Sequence, residues 1–158
     1  MKTIHILGLG PTLSEYKPDG NITIGVNDIW KYHPADFVLC VDRIRRFPPE
    51  RQASMISGKQ KKFFTLHPEW DGIIKNYHKI DERNIGHVND CGEDCAELDS
   101  GKILYSFNST FMAASLAFHM GATTILMHGV DFTDHHKLGK TSMLQRTIRD
   151  FRKLFLAF

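Results

Sequence analysis

Short apolar runs recur along the chain, and each is closed by a turn rich in Gly, Pro, Asn or Asp. Thr3–Leu7, Ile22–Val26, Asp36–Val41, Lys62–Leu66 and Thr123–Met127 are rich in β-branched, aromatic and other apolar residues and read as strands, the first of them buried, and order returns at Lys102–Tyr105 after a polar middle. Between them lie segments with helical signals. His33-Pro34 ends a short helix over Asp28–Tyr32, Pro48-Pro49 opens one that runs to about Ser57, and His67–Tyr77 is a weaker one. Phe111–Met120 is the strongest, with Asn108 or Ser109 as N-cap, frequent Ala, and Gly121 as its stop. It is apolar almost all round, which predicts burial against a sheet. The last segment, Ser142–Phe158, carries Leu144, Ile148, Phe151, Phe155 and Phe158 at four-three spacing. That stripe packs either on the sheet or on a second copy of the chain. Strands alternating with helices predict an α/β domain with a mostly parallel sheet and helices on both faces.

Composition changes this picture little. With 42% hydrophobic and 24% charged residues, the 158-residue chain suits one soluble globular domain over 1–158. A net charge of +2 offers no electrostatic footprint for nucleic acid, and no apolar run has the length of a membrane span. Met1-Lys2 leads directly into a strand, so no secretory leader is expected. The odd count of three cysteines, Cys40, Cys91 and Cys95, disfavours a disulfide framework, and the expected location is cytoplasmic. Residues 78–101 lack periodicity and read as a mobile polar loop. Their Asp90-Cys-Gly-Glu-Asp-Cys95 run, with His87 nearby, does not have the spacing of a zinc site.

Candidate chemistry gathers at the ends of strands. Gly8-Leu9-Gly10-Pro11-Thr12 follows the first strand. Such a turn entering a helix can cradle phosphate on free N–H groups, or simply end the strand tightly. Leu13 stands where the dinucleotide fingerprint requires a third glycine, and no Gly-Lys-Ser/Thr follows. Asn27 closes the second strand and either bonds a base or sugar or caps the next helix. Asp42 closes the third, and either contacts ligand or pairs with Arg43, Arg45 or Arg46. Asn108, Ser109 and Thr110 make a second anion-friendly helix start. Asp131 lies just past the last strand. Thr133–Lys140 is a polar loop, and 133–141 is a candidate lid. Its adjacent His135 and His136 point to opposite sides in extended chain, so one of them can face a ligand as general acid or base.

These motifs, in this order, resemble a group of Rossmann-like proteins. Gly8-Leu-Gly-Pro-Thr-Leu13 is similar to the group's Gly-x-Gly-Pro-Ser-Leu opening, and Gly25-Val-Asn27 to its Asn-bearing second strand. Asn108-Ser-Thr110, Gly121-Ala and Gly129-Val-Asp131-Phe132 are similar to its Thr-Ser-Gly, Leu-Gly and Gly-Ile/Val-Asp-Phe block. The group holds bacterial sialyltransferases that use CMP-sialic acid, and proteins resembling 6-hydroxymethylpterin diphosphokinase. The resemblance implies a Rossmann-like three-layer sandwich binding a nucleotide or nucleotide-sugar across the carboxyl ends of its strands. Gly8, Gly10 and Pro11, with Thr12, would shape the phosphate-ribose site, and Asn27 would touch the nucleotide or donor sugar. Ser109 and Thr110 would hold base or phosphate, Asp131 would position the donor, and His135 or His136 would deprotonate the acceptor. The sialyltransferase-like version is inverting and needs no metal or other cofactor. The diphosphokinase-like alternative needs Mg2+, with Asp42 and Asp131 as ligands. Leu9 stands where these sialyltransferases carry Asn, which removes one polar contact. A third reading is a non-catalytic nucleotide-binding or interaction module.

Overall fold

A computed structural model describes residues 1–87, 101–106, 108–131 and 141–157. Six of its strands form one sheet: β1 (Thr3–Leu7), β2 (Ile22–Val26), β3 (Phe37–Cys40), β4 (Lys62–Thr65), β5 (Tyr77–Lys79) and β8 (Thr124–His128). The order is β5-β4-β3-β2-β1-β8, and every neighbouring pair is parallel. From β1 the chain steps outward strand by strand to β5, then returns to lie on the other side of β1. The change of direction between β1 and β8 is a topological switch point, where open parallel sheets hold ligands at their carboxyl ends. Two further strands, β6 (Ile85–His87) and β7 (Ile103–Tyr105), pair in parallel as a separate ribbon.

Side chains that alternate along the strands feed two cores. Ile4, Ile6, Ile24 and Leu39 face the helix α2 (Ser109–His119), together with Leu104 of β7 and with Phe151 and Leu154 of α3 (Thr141–Ala157). Leu7, Val38 and Phe63 face the opposite layer, where Ile29, Met55 of α1 (Pro49–Ser57), Trp70 and Ile74 pack. The result is the expected three-layer α/β, Rossmann-like arrangement. Every residue of α2 from Thr110 to Ala117 is buried, as its all-round apolar sequence predicts.

Three local expectations are corrected. The segment over 67–77 forms only a 3-10 turn at Pro68–Trp70 before β5, because Pro68 starts it and Gly72, at φ +72, and Asn76, at φ +61, leave helical space. The polar stretch expected to be a loop from residue 78 supplies the end of β5 and all of β6, while 88–100 lie outside the described residues. Among the residues of α3 from 145 to 155, the buried positions are Thr147, Asp150, Phe151 and Leu154, whereas Ile148 and Phe155 are 53% and 62% exposed; Leu144 and Phe158 of the expected stripe lie outside the described side chains. The stripe read by hydrophobicity alone is therefore rotated from the face that packs. Phe151 meets Phe111 edge-on at 5.5 Å between ring centres.

Candidate functional site

At the switch point the chain ties its own two turns together. Gly8 N–H donates to His128 O at 2.7 Å, and Gly10 N–H to Gly129 O at 2.8 Å. Thr12 N–H donates to Asp131 Oδ2 at 2.8 Å, its hydroxyl donates to Asp131 Oδ1, and Gly129 N–H donates to Thr12 Oγ1 at 3.0 Å. The glycines are demanded by this closeness. A Cβ on Gly8 would lie 2.3 Å from Gly129 O, and one on Gly10 would lie 2.4 Å from Asp131 Oδ2. The helix expected after the turn is a 3-10 segment, Pro11–Glu15. The N–H groups expected to be free for phosphate at Gly8, Gly10 and Thr12 are thus occupied. Gly8, Gly10, Thr12 and Asp131 come together here as a latch between the two turns.

The end of β2 is built differently. Asn27 has φ +52, in the left-handed region, and its N–H donates to Leu39 O at 3.1 Å. Asn and Asp enter that region more readily than other residues with side chains. The 3-10 segment Ile29–Lys31 begins at Asp28 and has no side-chain cap, so Asn27 is not spent as one. Its Oδ1 is buried with no hydrogen-bond partner. Asp28, only 2% exposed, is gripped by Arg51 of α1, with Nε donating to Oδ2 at 2.9 Å and the terminal nitrogen to Oδ1. This bond holds the Arg51 guanidinium above its ordinary range and fully charged. Beyond β3, Asp42 meets Arg46 at 3.9 Å, so the pairing is with Arg46 and is loose. Tyr105 lies within electrostatic reach of both. Burial pushes its hydroxyl up, Asp42 adds to that, and Arg46 opposes it.

Asn108 caps α2, its Oδ1 accepting Thr110 N–H at 2.9 Å, Phe111 N–H at 3.2 Å and the Thr110 hydroxyl. Of the two cap candidates Asn108 is the one used. Ser109 opens the helix beside it.

Sequence reasoning missed one cluster. His5 lies inside β1, 3% exposed, with Nε2 3.1 Å from Asp19 Oδ2 and Nδ1 2.9 Å from His128 Nε2. With Nε2–H donated to the carboxylate, Nδ1 accepts from His128 Nε2–H. Tyr16 packs its ring on both histidines and on His33. Burial, helped by His5, lowers the affinity of His128 for a proton, while Asp19 opposes. The only signal in the sequence was a histidine in the interior of an otherwise apolar strand. Tyr16 and His33 also border an open cleft of about 710 Å³, together with Gly10, Pro11 and Lys31.

Residues 133–140 of the candidate lid, with His135 and His136, lie outside the described residues, as do Cys91 and Cys95, while Thr141 begins α3. Both oxygens of Asp131 are already accepting from Thr12, and no group of three His, Cys, Asp or Glu among the described residues could hold a metal ion. Among the described residues no helix is long and apolar enough to cross a membrane.

No protein-family model matches the chain, and no curated protein matches it in sequence. A solved structure does match: the sialyltransferase CstII from Campylobacter jejuni, in complex with a substrate analogue, cytidine-5'-monophosphate. The likeness covers 93% of this chain and 76% of that one, with a TM-score of 0.50 and 12% identity. It places the chain in the same fold, a Rossmann-like α/β sandwich.

Proposed function

We propose that the protein is a sialyltransferase-like glycosyltransferase, binding a cytidine nucleotide or nucleotide-sugar over the carboxyl ends of β1, β2 and β3. The carrying observation is the Asn27 carboxamide, held left-handed at the end of β2 with a buried oxygen that has no partner. An orphaned polar atom in a strained turn costs free energy unless a ligand or water completes it, and such positions concentrate at binding sites. The fold shared with a CMP-bound sialyltransferase says which ligand class to try first.

In this reading the Gly8–Thr12 latch shapes the pocket and supplies few donors, since its N–H groups are occupied. Asn27 takes the nucleoside, and Asp42 and Tyr105 border the same strand ends. The Ser109 hydroxyl and the start of α2 stabilise the departing phosphate. The acceptor oxygen attacks the anomeric carbon as the bond from that carbon to the phosphate oxygen breaks. The bonding pair leaves on the phosphate, the acceptor proton passes to His135 or His136, and configuration inverts. No step requires a metal.

A thermal-shift screen tests this with CMP, CDP, UDP, GDP, ATP and CMP-sialic acid, each with and without Mg2+. Ligand at a hundred times its Kd stabilises by about 2.7 kcal/mol, a rise of roughly 5–10 °C for a domain of this size. A magnesium-independent shift with the cytidine compounds is expected. A shift confined to ATP with Mg2+ would replace this reading by phosphoryl transfer, and no shift at all would favour an interaction module.

A further inference from the structure

Nothing in the nucleotide-binding reading explains why the residue after Asn27 is a buried carboxylate paired with a partly buried arginine. Asp28 is 2% exposed, and Arg51 reaches it from another element with a two-pronged grip. The guanidinium also lies 4.9 Å over the Phe47 ring, which fixes its plane. Asp28 is the residue from which the 3-10 segment Ile29–Lys31 starts, yet its carboxylate caps none of it. The carboxylate is turned wholly to Arg51. Ahead of it, Gly25 lets Ile29 fold back on β2, because a Cβ at Gly25 would stand 2.4 Å from Ile29 Cγ2. Asn27 is therefore held between three restraints: its own N–H on Leu39 O, the Gly25–Ile29 contact, and the Asp28–Arg51 grip.

The Asp28 carboxylate is buried while the Arg51 side chain is 34% exposed, and such a pair adds little net stability compared with well-packed apolar residues, so stability alone gives weak reason for it. Its bidentate geometry fixes direction, which an apolar contact does not. We infer that the Asp28–Arg51 pair is a positioning device that holds Asn27 left-handed and aims its Oδ1 at a hydrogen-bond donor of the nucleoside. The inference rests on the nucleotide-binding reading above and adds a selectivity to it. A carboxamide oxygen only accepts. The ligand group that meets it is therefore a base amine or a sugar hydroxyl, and not an ionised phosphate oxygen. Arg51 and Asp28 are positioning residues, acting through Asn27.

The test compares wild type, Arg51→Lys, the apolar double variant Asp28→Leu/Arg51→Met, and each of these with Asn27→Ala. The double variant avoids a buried unpaired carboxylate, and Arg51→Lys keeps the charge while losing the planar fork. Two quantities are read on folded, full-length protein. The first is the backbone conformation of Asn27 without ligand, from its HN–Hα coupling and Cβ chemical shift. The second is CMP affinity by calorimetry. The double variant is expected to lose the left-handed signature and to bind CMP about tenfold more weakly, with no further loss once Asn27 is Ala. If Asn27 stays left-handed without the pair, the inference is overturned. An equal loss of affinity in the Asn27→Ala background also overturns it, because the pair would then act through the general structure. Failure of wild type to bind CMP is a different result: it removes the nucleotide reading, and the coupling measurement then decides the positioning role on its own.

Discussion

A single dihedral angle separates two contributions of Asn27. At φ +52 the residue carries a backbone cost that glycine escapes, so its side chain must return something for being there. Asn27→Gly should leave unfolding free energy unchanged or raise it by up to about 1 kcal/mol in urea titrations, while weakening CMP binding about tenfold. A side chain that served only the fold would give the opposite pattern. Gly10 is demanded by contact: its added Cβ would meet Asp131 Oδ2 at 2.4 Å and Gly129 O at 2.8 Å. Gly10→Ala should destabilise by about 1–3 kcal/mol by forcing the latch open. Cys40 shows the limits of composition. Its thiol is buried and pushed far above the ordinary thiol range by that burial, so it stays neutral and is packed as a small apolar group.

Among the elements, α2 depends on its cap. Asn108 satisfies two backbone N–H groups at the start of a helix that is otherwise sealed in the core. Asn108→Ala should cost about 1 kcal/mol, seen as a lower urea midpoint at unchanged m-value. Between β1 and β8, the His5–His128 contact ties the switch point to pH. The proton affinity of His128 is lowered in the folded protein, chiefly by burial, from an ordinary value of 6.5. The unfolded chain therefore binds more protons just below that pH. Stability should be fully present above pH 6.5 and fall as the pH drops below it. Urea midpoints measured from pH 8 to pH 5 check this, and His128→Asn should flatten that part of the profile. Asp19 belongs to a separate window. The Asn21 N–H and carboxamide, and then His5, lower it from 3.8, so its contribution fades only as the pH falls below that value.

For the whole molecule, the third layer is set by how α3 meets α2. Phe151 is buried against Phe111, and Phe155, one turn on, is mostly exposed. Phe151→Ala should cost roughly 3–5 kcal/mol, and Phe155→Ser less than about 0.5 kcal/mol. Thermal unfolding of the two variants beside wild type checks the pair. Burial also leaves Asp150 on the packed face of α3, where desolvation raises its pKa and Arg149, at 3.4 Å, works against that. A carboxylate on the packed side and a phenylalanine on the open side are what a hydrophobic stripe drawn from sequence would not anticipate.

Local periodicity and turn chemistry were enough for β1 to β4 and β8, for the cap and stop of α2, and for the alternation that makes the sheet parallel, but not for β5 and β6, which carry no such pattern. The sequence by itself also marked Asn27 and the Gly8–Thr12 turn as unusual, since a polar residue and two glycines closing apolar runs have few local explanations. Tertiary structure alone decided where the N–H groups of that turn go. Their acceptors, His128 O, Gly129 O and Asp131 Oδ2, come from the far side of the switch point. Pairings so distant in the chain have no signature in local periodicity. The same reason hid the His5–Asp19–His128 chain and the Asp28–Arg51 grip, each assembled only when parallel strands bring their carboxyl ends and connecting segments together. The face of α3 was also decided in three dimensions, because a helix packs where α2 leaves room, and the width of that room is a property of the assembled core.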